Sequence, residues 1–275
     1  MFPIIYESTF ISLQTMWVFV ALGLLVSSYL TVQRLKRAHI NFTLLIKHST
    51  GILISATITS RLVYLIFHLD SYMASFNLRT LINVVSIWDQ GFSFWGATLG
   101  ALATGFYHLY KSEENLWKWA DALIVPAMIG LIIGEMGAFL GGYSYGSPTT
   151  LPWGITYETF NVKYALPIHP TQIYVIVAII LILAYKRYLS KRTDFFKHEG
   201  NATLYFTFLC SVAFFAIEFL RGDDTLQIAF IRLPEVFFAA AAVLTGLALK
   251  KRINNPNYGS NETSNSGLSL GTVPR

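Results

Sequence analysis

Seven apolar runs constrain this chain more than anything else in it. They fall near residues 12–32, 50–69, 91–110, 120–142, 171–186, 202–220 and 233–249, the fifth being the shortest. A run of this kind is long enough to cross the roughly 30 Å of hydrocarbon in a bilayer, where a helix satisfies its own backbone hydrogen bonds. The expected fold is therefore all-α and polytopic, a single seven-helix membrane domain over residues 1–252. Residues 253–275 are rich in Asn, Ser and Gly and read as a disordered cytoplasmic tail. Composition agrees, with 54% hydrophobic and 13% charged residues, where charged residues in soluble domains approach about a quarter.

Basic residues orient the runs, because short cytoplasmic loops retain Lys and Arg. With the N-terminus outside, fifteen of them fall inside: Arg34, Lys36, Arg37, Lys47, Lys111, Lys118, Lys186, Arg187, Lys191, Arg192, Lys197, Lys250, Lys251, Arg252 and Arg275. The outer segments keep only Arg79, Lys163, Arg221 and Arg232, and Arg61 lies within the second run. An odd number of spans, N-out and C-in, follows. The formal charge of +5 then faces anionic lipid and needs no nucleic-acid partner. The lone cysteine, Cys210, sits in an apolar run and reads as a small core residue. Residues 1–11, interrupted by Pro3 and Glu7, read as a segment lying at the outer interface.

Within the fourth run, Gly130, Gly134, Gly137 and Gly141 recur at steps of four, three and four, so they form one narrow helical stripe that lets another backbone approach. Glu135 lies inside the same run. It and Arg61 are costly in lipid and are expected to face protein, a polar cavity or a counter-ion. Trp88, Asp89, Gln90 and Ser93, beside Gly91 and Gly96, read either as an interfacial aromatic belt or as a polar-lined entrance.

The segment from Tyr143 to Pro167 is too long for a mere connection, and its prolines and threonines break the helix. It contains Leu151-Pro152-Trp153-Gly154 and runs into His169-Pro170-Thr171-Gln172-Ile173-Tyr174. Pro170 opens the fifth run, whose first-turn amides favour an anion such as a phosphate oxygen. Glu218 and Arg221, three residues apart, share a helix face and form either an ion pair or a substrate contact.

In this order and topology the stretches resemble the prolipoprotein diacylglyceryl transferases of bacterial cytoplasmic membranes. The resemblance rests on Ser60-Arg61-Leu62 with Tyr64, the Trp88–Ser93 segment, the glycine-rich fourth run, Leu151–Gly154, His169–Tyr174 and Glu218-Phe219-Leu220-Arg221. It implies transfer of the diacylglyceryl group of phosphatidylglycerol to the lipobox cysteine thiol of a prolipoprotein signal peptide, with release of glycerol phosphate and no metal or organic cofactor. It also implies an inner-membrane protein with its site on the outer side. Such chemistry needs cations and donors at the phosphate and a route for the thiol proton. The candidate catalytic residues are Arg221, Glu135 and His169. The candidate substrate contacts are Arg61, Trp88, Ser93, Trp95, Tyr143, Trp153, Gln172, Tyr174 and Glu218.

The chain departs from the family pattern in the fourth run. There the pattern Gly-Arg-x-Gly-Asn-Phe-x-Asn-Gly-Glu becomes Gly134-Glu135-Met136-Gly137-Ala138-Phe139-Leu140-Gly141-Gly142-Tyr143. Trp95 stands where many members have His, Val175 where they have Glu, and Phe214 where Arg is common. A carboxylate in place of the arginine repels a lipid phosphate unless it is paired or protonated; a carboxylate whose proton affinity is raised by burial is also a candidate base for the thiol. Two readings follow: a divergent transferase, and a catalytically inactive paralogue that binds phospholipid or lipoprotein precursors. A small-solute channel has only the intramembrane charges in its favour.

Overall fold

The structure is a computed structural model that describes residues 3–7, 12–69, 72, 91–159, 161–223, 225, 227–228 and 231–254. Trp88 and the tail from 255 on lie outside the described residues. The helices, in chain order, are α1 (Thr15–Arg37), α2 (Thr43–Phe67), α3 (Phe94–Lys111), α4 (Leu116–Gly141), α5 (Thr171–Leu189), α6 (Asn201–Glu218) and α7 (Leu233–Asn254). Among the described residues all but α3 are long and apolar enough to span a membrane, so the chain is a polytopic helical membrane protein. The apolar run at 91–110 was expected to be a span. In α3 it forms an 18-residue helix, whose tyrosines, His108 and Lys111 lower its hydropathy.

Two short hairpins were not anticipated. Strand β1 (Ile4–Glu7) pairs antiparallel with β2 (Ser12–Gln14), and β3 (Gln227–Ile228) pairs with β4 (Ile231–Arg232). The first makes α1 begin at Thr15 rather than at Ser12.

The chain forms two compact units, Leu35–Trp119 and the remainder (Met1–Arg34 with Ala120–Arg275), and each is described by itself. In the smaller unit α2 and α3 pack through small residues. A Cβ on Gly100 would lie 2.7 Å from Ser55 O, and one on Gly96 2.6 Å from Thr59 O. The Ser55 and Thr104 hydroxyls close this seam with bonds of 3.2 and 2.7 Å. The interface thus follows the small-residue logic of membrane helices, with hydroxyls as glue.

In the larger unit the glycine stripe of α4 packs on α1. A Cβ on Gly137 would collide with Phe19 Cβ, and one on Gly130 would sit 3.2 Å from Gly23 O. Gly134 faces open space. The close approach expected from the stripe is realised by α1, so the stripe is a packing seam. Elsewhere in the unit, Ile182, Tyr205, Phe206 and Cys210 make a buried cluster with Ile124, Val125 and Met128. Cys210 Sγ lies 3.6 Å from Met128 Sδ and is a core group, as expected.

Helix starts are capped by different means. Ser93 Oγ accepts the Gly96 amide at 3.3 Å for α3, and Asn115 Oδ1 takes the amides of Trp117 and Lys118 for α4. Helix α6 follows Gly200 at φ +80°, with no cap of its own. Its acceptor is Asp121 of α4, whose carboxylate takes the Gly200 amide at 2.6 Å, the Thr203 amide at 2.7 Å and the Thr203 hydroxyl at 2.6 Å. Losing a cap of this kind costs about 1–2 kcal/mol. Asp121→Ala is expected to lower the thermal unfolding midpoint in detergent, and Asp121→Asn, which keeps one acceptor, to lower it less.

Candidate functional site

In the smaller unit Arg61 is buried, although it sits in a helix of membrane length. Its Nη1 donates to Gly91 O at 2.8 Å, and its guanidinium lies 5.7 Å from the ring centres of both Tyr64 and Phe92. Gly91 has φ +131°, and a Cβ there would lie 2.6 Å from Arg61 Nη1. Both facts demand glycine. Ser60 donates to Ser93 O at 2.8 Å, while the Ser93 hydroxyl is the α3 cap. Trp95 is half-buried and meets Phe94 edge to face at 5.9 Å. Arg61, Ser93 and Trp95 thus share the junction of α2 and α3.

The other predicted residues lie in the larger unit and are organised by the loop after α4. Residues 145–149 run antiparallel to two neighbours at once. Gly146 N donates to His169 O at 3.1 Å and Thr149 N to Pro167 O at 2.8 Å. On the opposite side Ser147 N donates to Leu220 O at 2.8 Å and Gly222 N to Tyr145 O at 3.0 Å. This ties the loop to the start of α5 and the end of α6. No side chain fits at the crossing, since a Cβ on Gly222 would be 2.5 Å from Gly146 O. Beneath the loop, Tyr145, Tyr157, Val162 and Ile168 form a buried core. Tyr157 donates to Phe139 O at 3.1 Å, and burial pushes its hydroxyl up to about 12, so it stays a donor.

The first turn of α5 is closed by the chain itself. Thr171 Oγ1 donates to Ser144 O at 2.7 Å, Gln172 Nε2 donates to Tyr143 O, and the amides of Thr171, Ile173 and Tyr174 reach His169 or Pro170 carbonyls. Three of the amides expected to favour an anion, those of Thr171, Ile173 and Tyr174, are therefore engaged by the chain itself. Gln172 is fully buried and its Oε1 lacks a partner. Tyr143 donates to Gln14 Oε1 at 3.0 Å, which anchors it to the N-terminal hairpin.

The Leu-Pro-Trp-Gly stretch is a turn, closed by Gly154 N to Leu151 O at 2.9 Å, that presents the Trp153 indole. Trp153 Nε1 donates to Tyr174 Oη at 2.8 Å, and Tyr174 Oη lies 3.2 Å from His169 Nδ1. Because the indole can only donate, the Tyr174 proton is free to point at Nδ1. Trp153 and Tyr174 stand at one end of an open apolar groove of about 780 Å³ between α5 and α6. Ile173, Val177, Ala213 and Ile217 line its walls, and Leu220, the residue before Arg221, belongs to it too.

Past Leu220 the chemistry turns ionic. Arg232, on β4, donates from Nε to Glu218 Oε1 at 2.9 Å and from Nη2 to Asp223 Oδ1 at 2.6 Å and Thr225 Oγ1 at 2.8 Å. Arg221 reaches Asp223 Oδ2 at 3.3 Å and stands 3.5 Å from Glu218 Oε2. The expected Glu218–Arg221 pair exists, but Glu218 has its shorter bond with Arg232. It is Arg221 Nε, buried and without a hydrogen bond of its own, that faces Glu218 at this 3.5 Å distance, and Glu135 Oε2 likewise makes no hydrogen bond among the described residues.

Arg232 escaped the sequence reading because fourteen residues separate it from Glu218. One signal was present, in that it is one of the few basic residues in segments otherwise poor in them. Burial acts against its charged form, but the hydrogen bonds and negative charge of Asp223 and Glu218 outweigh it and move its ionisation upward, so it remains a cation. Breaking a buried pair costs about 3–5 kcal/mol. Arg232→Ala is therefore expected to destabilise the protein on that scale in detergent unfolding, against a small change for the exposed Lys197→Ala.

A family model described as prolipoprotein diacylglyceryl transferase matches residues 3–250. The chain is similar to proteins named phosphatidylglycerol–prolipoprotein diacylglyceryl transferase from several bacteria. That of Thermotoga maritima is 29% identical over 253 residues, covering 86% of this chain and 80% of the relative. That of Finegoldia magna is 26% identical over 243 residues, covering 86% and 92%. That of Desulfotalea psychrophila is 26% identical over 261 residues, covering 90% and 91%.

Proposed function

Because the chain belongs to the prolipoprotein diacylglyceryl transferase family, we propose that it moves the diacylglyceryl group of phosphatidylglycerol onto the lipobox cysteine of prolipoprotein signal peptides. On this reading it has seven spans, with the N-terminus outside and the site at the outer face of the bacterial cytoplasmic membrane. The distribution of Lys and Arg supports that orientation.

The observation that carries the reading is a guanidinium held only by long ion-pair contacts of 3.3 and 3.5 Å, that of Arg221, one residue past an apolar groove open at the α5–α6 face. Acyl chains suit the groove and a phosphate suits the guanidinium, which keeps its charge in poorly hydrated surroundings. The cysteine sulfur attacks the glycerol carbon that bears the phosphate. A C–S bond forms, the C–O bond to phosphate breaks, and the oxygen leaves with the electron pair as glycerol phosphate, its charge taken by Arg221. The thiol proton passes to Tyr174 Oη as that hydroxyl gives its own proton to His169 Nδ1. Trp153 fixes the hydroxyl from the other side. Glu218 and Asp223 hold Arg221 in place.

Complementation of a bacterium depleted of its own transferase tests this, read as the diacylglyceryl mass shift on a lipobox cysteine. The chain is expected to restore growth and the mass shift, and a well-inserted chain that restores neither rejects the assignment. Arg221→Ala is expected to lower turnover by a factor of about 100 or more, the scale of a lost transition-state contact. Tyr174→Phe is expected to lower kcat by about tenfold or more with little change in KM, measured with a lipobox peptide; an unaltered kcat removes the relay.

A further inference from the structure

The loop after α4 carries an apolar tip that its own fold leaves uncovered. Leu151, Trp153 and Leu166 are 41%, 54% and 61% exposed, and Pro152 and Pro167 beside them are exposed too. Two arms of the loop meet there. A Cβ on Gly154 would lie 3.0 Å from both Pro167 Cβ and Thr149 Cγ2, so the Leu151–Trp153 turn and the Leu166-Pro167 corner form one surface. The charged residues between Tyr143 and Pro167, Glu158 and Lys163, belong to the stretch that joins the arms and not to the tip. A contiguous exposed apolar patch marks a contact with a partner or a membrane.

The level of the tip selects the membrane. Trp153 Nε1 is bonded to Tyr174 Oη, in the first turn of α5. Helix α5 has 19 residues, about 28 Å of rise, which matches the roughly 30 Å of hydrocarbon in a bilayer. Its first turn therefore stands at one boundary of the hydrocarbon, and the tip stands there with it. The tip is also continuous with a lipid-facing surface, since Trp153 belongs to the apolar groove between α5 and α6.

The backbone of the tip suits that depth. The amides of Thr149, Leu151, Gly154, Ile155 and Ile168 are bonded within the loop, and Pro152 and Pro167 have no amide to satisfy. Irregular backbone is tolerated beside hydrocarbon when its polar groups are satisfied in this way, and Trp is a residue favoured at headgroup level. A peptide pairing with the same stretch needs open backbone donors, and these are closed.

We propose that this tip is a lipid-docking surface, which sinks into the headgroup region of the leaflet at the mouth of the α5–α6 groove. The docking stands on the exposed side chains and the closed backbone. Its use, which is to hold the mouth of the groove level with the phospholipid that enters it, rests on the transferase reading.

The test places the full chain in vesicles of phosphatidylglycerol and phosphatidylcholine, with Cys210→Ala and a single new cysteine that carries a fluorophore. Leu151→Cys and Leu166→Cys probe the tip, Lys163→Cys a charged position of the same loop, and Leu244→Cys an exposed position on α7. The labels at Leu151 and Leu166 are expected to be quenched by phospholipids brominated on their acyl chains, as the label at Leu244 is, and the label at Lys163 to be spared. Tip labels that are spared like the one at Lys163 overturn the proposal, whether water or a second copy of the chain covers them. In transfer to a lipobox peptide, Leu151→Asp combined with Leu166→Asp is expected to raise KM for phosphatidylglycerol in vesicles by about tenfold or more, the scale of leucines removed from apolar contact. Transfer from dispersed short-chain phosphatidylglycerol is expected to stay unchanged. An equal loss with both lipids overturns the proposal, because it marks a tip that only holds the loop together. A raised KM for the peptide overturns it too, because it marks a signal-peptide contact. If the chain transfers neither lipid, the transferase reading fails and the quenching alone decides.

Discussion

The ionic arrangement at the end of α6 depends on one guanidinium, that of Arg232. Its five donors in a fixed fork engage Glu218, Asp223 and Thr225 together with two backbone carbonyls. Two acids close to each other and poorly hydrated repel, and a single arginine between them removes that repulsion. The second arginine is then left partly unsatisfied. Arg221 is positioned by the same carboxylates, yet only loosely bonded by them, with contacts of 3.3 and 3.5 Å. On the proposed function, a cation that grips an incoming anion and releases a product is better held this way than locked into a tight pair.

The backbone does comparable work on the other side of Leu220. The loop after α4 is held by main-chain hydrogen bonds to the start of α5 and to the end of α6. Those bonds need no particular side chain beyond the glycines at the crossing. This leaves the Trp153, Tyr174 and His169 side chains free of the work of holding the loop. Their chain of hydrogen bonds sits at the rim of the apolar groove, which is where the proposed function needs it.

Much of the fold was legible because the membrane reduces the choices. Once a run is long and apolar, its backbone has to be helical, and the helices lie close to the runs. The glycine stripe told correctly that a backbone approaches α4, but not which one, since a stripe carries no information about its partner. It also lent Glu135 the look of a site for a reason unrelated to the site. The α5 amides show the opposite difficulty. Their sequence context favours an anion, whereas three of them bond to the carbonyls of His169 and Pro170, and the side chains of Thr171 and Gln172 are drawn to carbonyls 27 and 29 residues earlier. Local propensity cannot foresee a competitor brought in by tertiary structure. The β3–β4 hairpin is too short to leave a period, so Arg232 stayed hidden among the basic residues that were counted only for topology.

The cap on α6 has a consequence for how the protein is made. A ribosome delivers the chain in order, and Asp121 emerges with α4, about eighty residues before the amides of Gly200 and Thr203 that it binds. When α6 enters the bilayer the amides of Gly200 and Thr203 have no side-chain acceptor from their own flank, only one already waiting on an earlier helix. Docking against α4 and completion of that first turn are therefore the same event. A sixth helix packed beside any other neighbour keeps open amides at its start, so the choice of α4 as partner is written into the first turn of α6 itself.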